Sequence, residues 1–228
     1  MATFVLVHGA WHGSWCWQRV RRALERQGHA VFTPTLSGVG ERSHLLSKDI
    51  DLEVQTLDVL NLILWEELQD IVLCGHSYGG MVATGVADRI PGRIRSLRYL
   101  DAFVPDDGQS LLQFAPIERE HLVDGWKTTP IPAAVFGVNE ADRAWVDRQC
   151  TLHPLACFEQ PVRLTGAGAA IKDVSYLYAQ GWAGGHSPFH PFYDKARRRG
   201  WRTSQIDCGH DVMLDRPDAV VRWLAETT

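Results

Sequence analysis

Short apolar runs alternate along this chain with amphipathic helical patterns, and that alternation leaves few folds open. TFVLVHG (3–9), AVFTPTL, DIVLCGH (70–76), IRSLRYLDAFVP, KDVSYLYAQG and WRTSQIDCG read as six strands. The third is apolar almost throughout, as a strand covered on both faces must be. Between them lie helical patterns. WCWQRVRRALERQGH ends at Gly28, DLEVQTLDVLNLILWEEL starts from Asp51 as a candidate N-cap, and YGGMVATGVADRI is stopped by Pro91. PFYDKARRRG and RPDAVVRWLAE complete the set. Strands that alternate with helices build a mostly parallel sheet with helices on both sides.

Residues 105–165 break the rhythm, with Pro105, Pro116, Pro130, Pro132, Pro154 and Pro161 between short helical pieces. This segment is expected to form a helical lid over a core made of 1–104 and 166–228.

The length of 228 residues suits one domain with an insertion. A net charge of -4 gives no footprint for nucleic acid, and the clusters Arg19/Arg21/Arg22 and Arg197/Arg198/Arg199 read as solvated helix faces. No apolar run approaches the roughly 20 residues that span a bilayer, so no membrane partner is expected. Five scattered cysteines without a CxxC pair indicate neither a zinc site nor a disulfide framework. The opening MATFVLVHG has no basic leader, so the expected setting is cytoplasmic. A homodimer is left open.

Ligands of such sheets bind at the carboxyl ends of the strands. His8-Gly9, Ser77 and His210 fall there, after the first, third and sixth strands. Gly75-His76-Ser77-Tyr78-Gly79 fits G-x-S-x-G, with a strand before it and a helix after it. Glycines at 75 and 79 let the chain turn sharply, so that Ser77 stands out at a helix N-terminus beside free N–H donors. A serine hydroxyl needs a base. His210, in the loop between the last strand and the last helix, is the candidate, while His8 and His76 read as wall or packing residues. The N–H groups of Ala10 and Tyr78 are the candidate oxyanion hole. His186 and His190 are four apart, but Pro188 between them spoils a helix, and no metal is expected. TGAGAA (165–170) lacks the third glycine of a dinucleotide motif, and no cofactor is expected.

FVLVHGAWHGSWCW, CGHSYGG and GHDVML together resemble the α/β-hydrolase superfamily, and within it the plant methylesterase and hydroxynitrile lyase branch with its bacterial esterase relatives. The resemblance covers the core and reaches the middle segment only loosely. It implies an α/β-hydrolase fold and a Ser–His–acid triad. The family's usual acid follows the strand before the His strand, but the corresponding loop GWAGGHSPFH holds no Asp or Glu. Some superfamily members carry the acid one strand earlier, where RYLDAF places Asp101. Asp101 is the favoured acid; Asp173, Asp194, Asp211 and a Ser–His dyad with water stay open. Lyases of the branch resemble one another in a Lys after the base and a Thr in the first loop, and those places here hold Asp211 and Gly9.

The expected function is serine-dependent hydrolysis of small to medium hydrophobic or aromatic esters, methyl esters included. Nine tryptophans favour an apolar pocket. Gly9, Trp11, His76, Phe103, Trp126 and Trp182 are its candidate wall. Lyase or cofactor-free oxygenase chemistry, and a non-catalytic binding role on the same fold, are the alternatives.

Overall fold

In a computed structural model, residues 1–182 and 187–226 are described. In chain order the core begins with β1 (Thr3–Val7), α1 (Gln18–Arg26), β2 (Ala30–Phe32), α2 (Leu52–Trp65), β3 (Ile71–His76), α3 (Gly79–Arg89) and β4 (Ile94–Leu100). The middle segment holds β5 (Leu122–Val123), β6 (Lys127–Thr128), α4 (Glu140–Gln149), β7 (His153–Pro154) and α5 (Ala156–Glu159). The chain then returns to the core with β8 (Asp173–Ala179), α6 (His190–Arg198), β9 (Arg202–Ile206), α7 (Val212–Asp215) and α8 (Pro217–Ala225). β1, β2, β3, β4, β8 and β9 form one six-stranded sheet in the order β2-β1-β3-β4-β8-β9, every neighbouring pair parallel.

The strands at the centre are the most apolar. Every residue of β3 is buried, and Phe4, Val5, Leu6 and Val7 of β1 are buried beside it. Such runs bury both faces only because helices cover each side, and each fully buried Leu, Ile or Phe contributes about 1.5–3 kcal/mol. α1 begins one helical turn later than the sequence pattern suggests, because Ser14–Trp17 forms a 3-10 turn. α2 starts where expected: the Asp51 carboxylate accepts from the Val54 N–H at 2.9 Å. β2 is only three residues long, since Pro34 cannot donate to a ladder.

The middle segment differs from the expected helical lid. Besides α4 and α5 it contains a small antiparallel sheet in the order β5-β6-β7. Strands of two residues carry no readable period, so the pattern could not announce them. The segment is tied to the core by specific bonds. Arg19 donates to both Asp142 oxygens at 2.7 Å, and the Thr151 N–H donates to the Trp11 carbonyl at 3.0 Å. No described helix is long and apolar enough to cross a membrane.

Close approach of backbones explains why α3 starts with glycine. A Cβ at Gly79 would lie 2.6 Å from the carbonyl oxygens of both Val7 and His8, pressing β1 away from α3. Gly79→Ala is therefore expected to destabilise the fold by about 1–3 kcal/mol. Urea unfolding monitored by circular dichroism checks this, and a midpoint equal to that of the parent protein contradicts it.

Candidate active site

The order of the central strands brings four loops to one edge. The turns after β1, β3 and β4 and the long loop after β9 all lie at the carboxyl ends of their strands. The chain reverses direction across the sheet at β1, the usual place for a ligand crevice.

Ser77 sits at the turn from β3 into α3 with φ of 54°. A left-handed conformation is costly for a residue with a Cβ, and it is held here from both sides. The Ser77 N–H donates to the Leu100 carbonyl at 3.3 Å, and the Ser77 carbonyl accepts from the Phe103 N–H at 3.1 Å. Trp11 (φ 64°) and Asp101 (φ 40°) share this conformation, so three of the six described non-glycine residues with positive φ border one site. Strain concentrated in this way marks a place where side-chain direction matters more than backbone comfort.

Asp101 begins the loop after β4 and His210 follows β9, yet Asp101 Oδ2 lies 2.7 Å from His210 Nδ1. The carboxylate also accepts from the Ala179 N–H at 3.1 Å and from Trp182 Nε1–H at 3.0 Å. Both residues are buried, and Phe189 stacks on the imidazole at a centroid distance of 4.7 Å, with Trp182 and Phe136 against its other sides. Burial pushes the His210 imidazole well below its ordinary range. Burial also raises the Asp101 carboxyl, against the Trp182 and Ala179 donors. The His210 Nδ1–H is a third donor to that carboxylate and favours its ionised form further. The His210 imidazole is thus neutral, with its Nδ1 proton directed at Asp101.

The other acids weighed for this role lie elsewhere. Asp173 is held by Arg98 through two bonds of 2.8 Å, Asp194 faces His190 at 3.5 Å, and Asp211 points to His12 at 3.1 Å. His186 falls outside the described residues. The described groups His76, His210 and Asp211 do lie within metal-ligand reach of one another. The His210 Nδ1 is already committed to Asp101, and His76 Nε2–H donates to the His210 carbonyl at 3.1 Å, so this cluster is a hydrogen-bonded one.

Ser77 and His210 line one cavity of about 150 Å³ together with Ala10, Trp11, Tyr78 and Phe103. Trp182 also lines it, and Leu111, Ile131, Phe136 and Phe158 add further apolar wall. The Ser77 hydroxyl has no partner among the described residues, and no described acceptor takes the Ala10 or Tyr78 N–H. A serine hydroxyl, an imidazole and two unspent N–H donors therefore converge on one apolar space. Catalytic hydrogen bonds often close only when substrate is bound.

Three candidate wall residues sit differently. Gly9 lies behind Ser77, where a Cβ would come 2.9 Å from the Ser77 Cβ. His76 is buried under His210, ring centroids 4.4 Å apart, with its pKa pushed down to about 3 by burial. Trp126 does not line the cavity: it is partly exposed, with Lys127 Nζ at 4.8 Å from its ring. Its indole is covered by ammonium groups rather than by a pocket, a pairing that proximity to Lys127 in sequence could have signalled. Sequence reasoning missed Phe136 as a contact of the base. Its carbonyl accepts the His210 N–H at 2.7 Å, which joins the middle segment to the base loop.

Comparisons with known proteins agree with this architecture. The sequence matches the alpha/beta hydrolase family over residues 4–223. It is 46% identical to the carbendazim hydrolyzing esterase of Nocardioides sp. (strain SG-4G), over 99% of each chain. It is 30% identical to methylesterase 7 of Arabidopsis thaliana over 59% of this chain and 55% of that one. Among solved structures, an extracellular alpha/beta-hydrolase from a Paenibacillus species superposes with a TM-score of 0.83 at 27% identity, over 97% of each chain. That protein is described as sharing structural and functional homology with tobacco salicylic acid binding protein 2. From the parallel sheet, the serine elbow and these matches together, this chain belongs to the alpha/beta hydrolase family.

Proposed function

We propose that this protein is a serine esterase of hydrophobic or aromatic esters, methyl esters included. The observation that carries the reading is the 2.7 Å contact between Asp101 and His210 beside the cavity that holds Ser77. Likeness over the whole length to an esterase from Nocardioides supports it.

The geometry supports the following steps. Ser77 Oγ attacks the ester carbonyl carbon while His210 Nε2 takes the hydroxyl proton. Asp101 holds the imidazole by Nδ1 and stabilises the imidazolium that forms. The carbonyl oxygen, now negative, is met by the N–H groups of Ala10 and Tyr78, each such donor being worth about 10²–10³ in kcat. The tetrahedral centre collapses to an acyl-serine, and His210 returns its proton to the departing alcohol. Water then repeats the attack, giving up a proton to His210, and Ser77 leaves as the hydroxyl.

The cavity narrows the substrate class. Its polar side chains other than Ser77 and His210 are already satisfied. Trp11 Nε1–H donates to Thr128, Trp182 Nε1–H to Asp101 and the Tyr78 hydroxyl to Gln55. A charged or strongly polar substrate group would enter without a partner, at a loss of several kcal/mol. Carbendazim is a natural test compound, since the Nocardioides relative is named for hydrolysing it. Cyanohydrin cleavage is disfavoured because no described lysine or arginine lines the cavity to receive cyanide, and the residue after the base is the acid Asp211.

Three outcomes test the reading. Ser77→Ala should lower kcat/KM for p-nitrophenyl acetate by about 10⁴-fold or more and abolish fluorophosphonate labelling, with the melting temperature retained; near-parental turnover rejects it. Methyl benzoate should be hydrolysed with a kcat/KM at least about tenfold above that of monomethyl succinate, whose carboxylate would lose its water in the cavity. The reverse order contradicts the apolar assignment. His210 works as a base only when neutral, so activity is lost as pH falls through its titration. Because burial lowers that titration, the ascending limb of kcat/KM should lie below the ordinary imidazole value of 6.5. A limb centred above that value contradicts the proposed environment.

A further inference from the structure

The first loop carries histidines that the triad does not use. His12 is buried, and both of its ring nitrogens face oxygen atoms that can only accept. Nδ1 lies 2.8 Å from the Ala10 carbonyl and Nε2 lies 3.1 Å from Asp211 Oδ2. A neutral imidazole has one N–H and would set a lone pair against one of those oxygens. Only the doubly protonated ring satisfies both contacts. Burial opposes the charge, but the Cys150 sulfur and the Asp211 carboxylate outweigh it and raise His12 well above its ordinary value. Asp211 is correspondingly held low, with burial opposing and His12 dominating the favourable side.

The surroundings of His12 reinforce the assignment. Trp15 stacks on the ring at 4.9 Å and Phe136 closes another side at 6.4 Å. The titratable groups facing it are Asp211, the Cys150 thiol with Sγ 3.9 Å from Nδ1, and His76 with its ring centroid at 6.3 Å. His8 is a further neighbour, and burial lowers it to about 4. The Asp211 carboxylate faces the ring at hydrogen-bond distance, so one ion pair lies under the site.

The same loop is held at its other atoms by neutral histidines. His8 Nε2 accepts from the Leu36 N–H at 3.1 Å, so its Nδ1 carries the proton and donates to the Gly9 carbonyl at 2.8 Å. The Gly9 carbonyl and the Ala10 N–H belong to one peptide group. The next peptide has its carbonyl on His12 and its N–H, that of Trp11, on His153 Nδ1 at 3.1 Å. His153 Nε2–H then donates to Gln55 Oε1 at 3.2 Å, the same oxygen that accepts the Tyr78 hydroxyl at 2.7 Å. Both proposed oxyanion residues are thus tied into one buried polar network.

We propose that His12 is a positioning residue: a permanent buried imidazolium that donates to the Ala10 carbonyl and to Asp211, and so clamps the oxyanion loop to the loop that carries the catalytic base. The inference rests on the serine esterase reading for its kinetic meaning, but its charge state does not. His12 touches no reacting atom. It holds the peptide that follows the one bearing the Ala10 N–H, and so limits how far that donor can swing; a displacement of about 1 Å in such a donor is enough to lower turnover about 10²-fold.

The test has a part that needs no turnover. In ¹⁵N-labelled protein at pH 8, His12 should show two protonated ring nitrogens, with its signals assigned by their loss in His12→Gln. A single N–H at pH 8 overturns the proposal even if Ser77 still reacts with a fluorophosphonate. Failure of that labelling rejects the esterase reading instead. The kinetic part uses Asp211→Asn, which keeps the size of the side chain and removes the counter-ion. With p-nitrophenyl acetate the variant should gain a descending limb of kcat in the neutral to alkaline range as His12 loses its proton. The ascending limb should move to lower pH, because Asp211 raises His210. His12→Gln, which retains a donor toward Asp211, should lower kcat about 10- to 100-fold with KM changed less than about threefold. A purely structural role predicts a lower melting temperature with the shape of the pH profile unchanged, and that result contradicts the clamp.

Discussion

The contact between Asp101 and His210 is the constraint on which the arrangement of the site depends. These residues are 109 positions apart in the chain and meet because β8 lies between β4 and β9 in the sheet. The acid stands at the end of β4 and reaches across the end of β8, taking the Ala179 N–H on the way. Its left-handed backbone aims the carboxylate sideways along the sheet edge instead of outward. The loop after β8, where an acid would otherwise stand, supplies the Trp182 indole as a donor to that carboxylate.

Removing this contact would leave the imidazole without a reason to hold its Nδ1 proton toward the sheet. The aromatic rings of Phe136, Trp182 and Phe189 exclude water from it, so no solvent molecule would readily replace the carboxylate. The same dryness strengthens each dipole aimed at the cavity. It also explains the density of buried histidines around the loop after β1. A polar atom brought under the apolar roof is costly without a partner, and a ring with two nitrogens can join two groups at once, as those of His8, His12 and His153 do. Burial holds His8, His76 and His153 neutral, and a carboxylate holds His12 charged.

Much of this was legible in the sequence. The six strands and the turn that exposes Ser77 are local patterns, written in runs of apolar residues and in glycines at 75 and 79. The lack of any acid in 180–190 points to Asp101 from the sequence alone. Long-range pairings were not legible. His12 meets Asp211 across 199 residues and Trp11 meets His153 across 142, and nothing in the local pattern of either partner announces the other. The middle segment reads as helical in sequence because its two-residue strands are defined by their pairing rather than by periodicity. Residue type alone places Trp126 with the pocket, whereas the lysines beside it decide its surroundings.

The central claim is that the β4 carboxylate is the anion behind the base. Its most direct measurement is the turnover number of Asp101→Asn, taken beside its melting temperature. An amide at this position keeps the shape but presents an N–H where the imidazole needs an acceptor, so kcat should fall by about 10³–10⁴-fold while the variant remains folded. A folded variant that retains kcat within about tenfold of the parent would mean that His210 takes its orientation from elsewhere, and the arrangement described for this site would not be the one that operates.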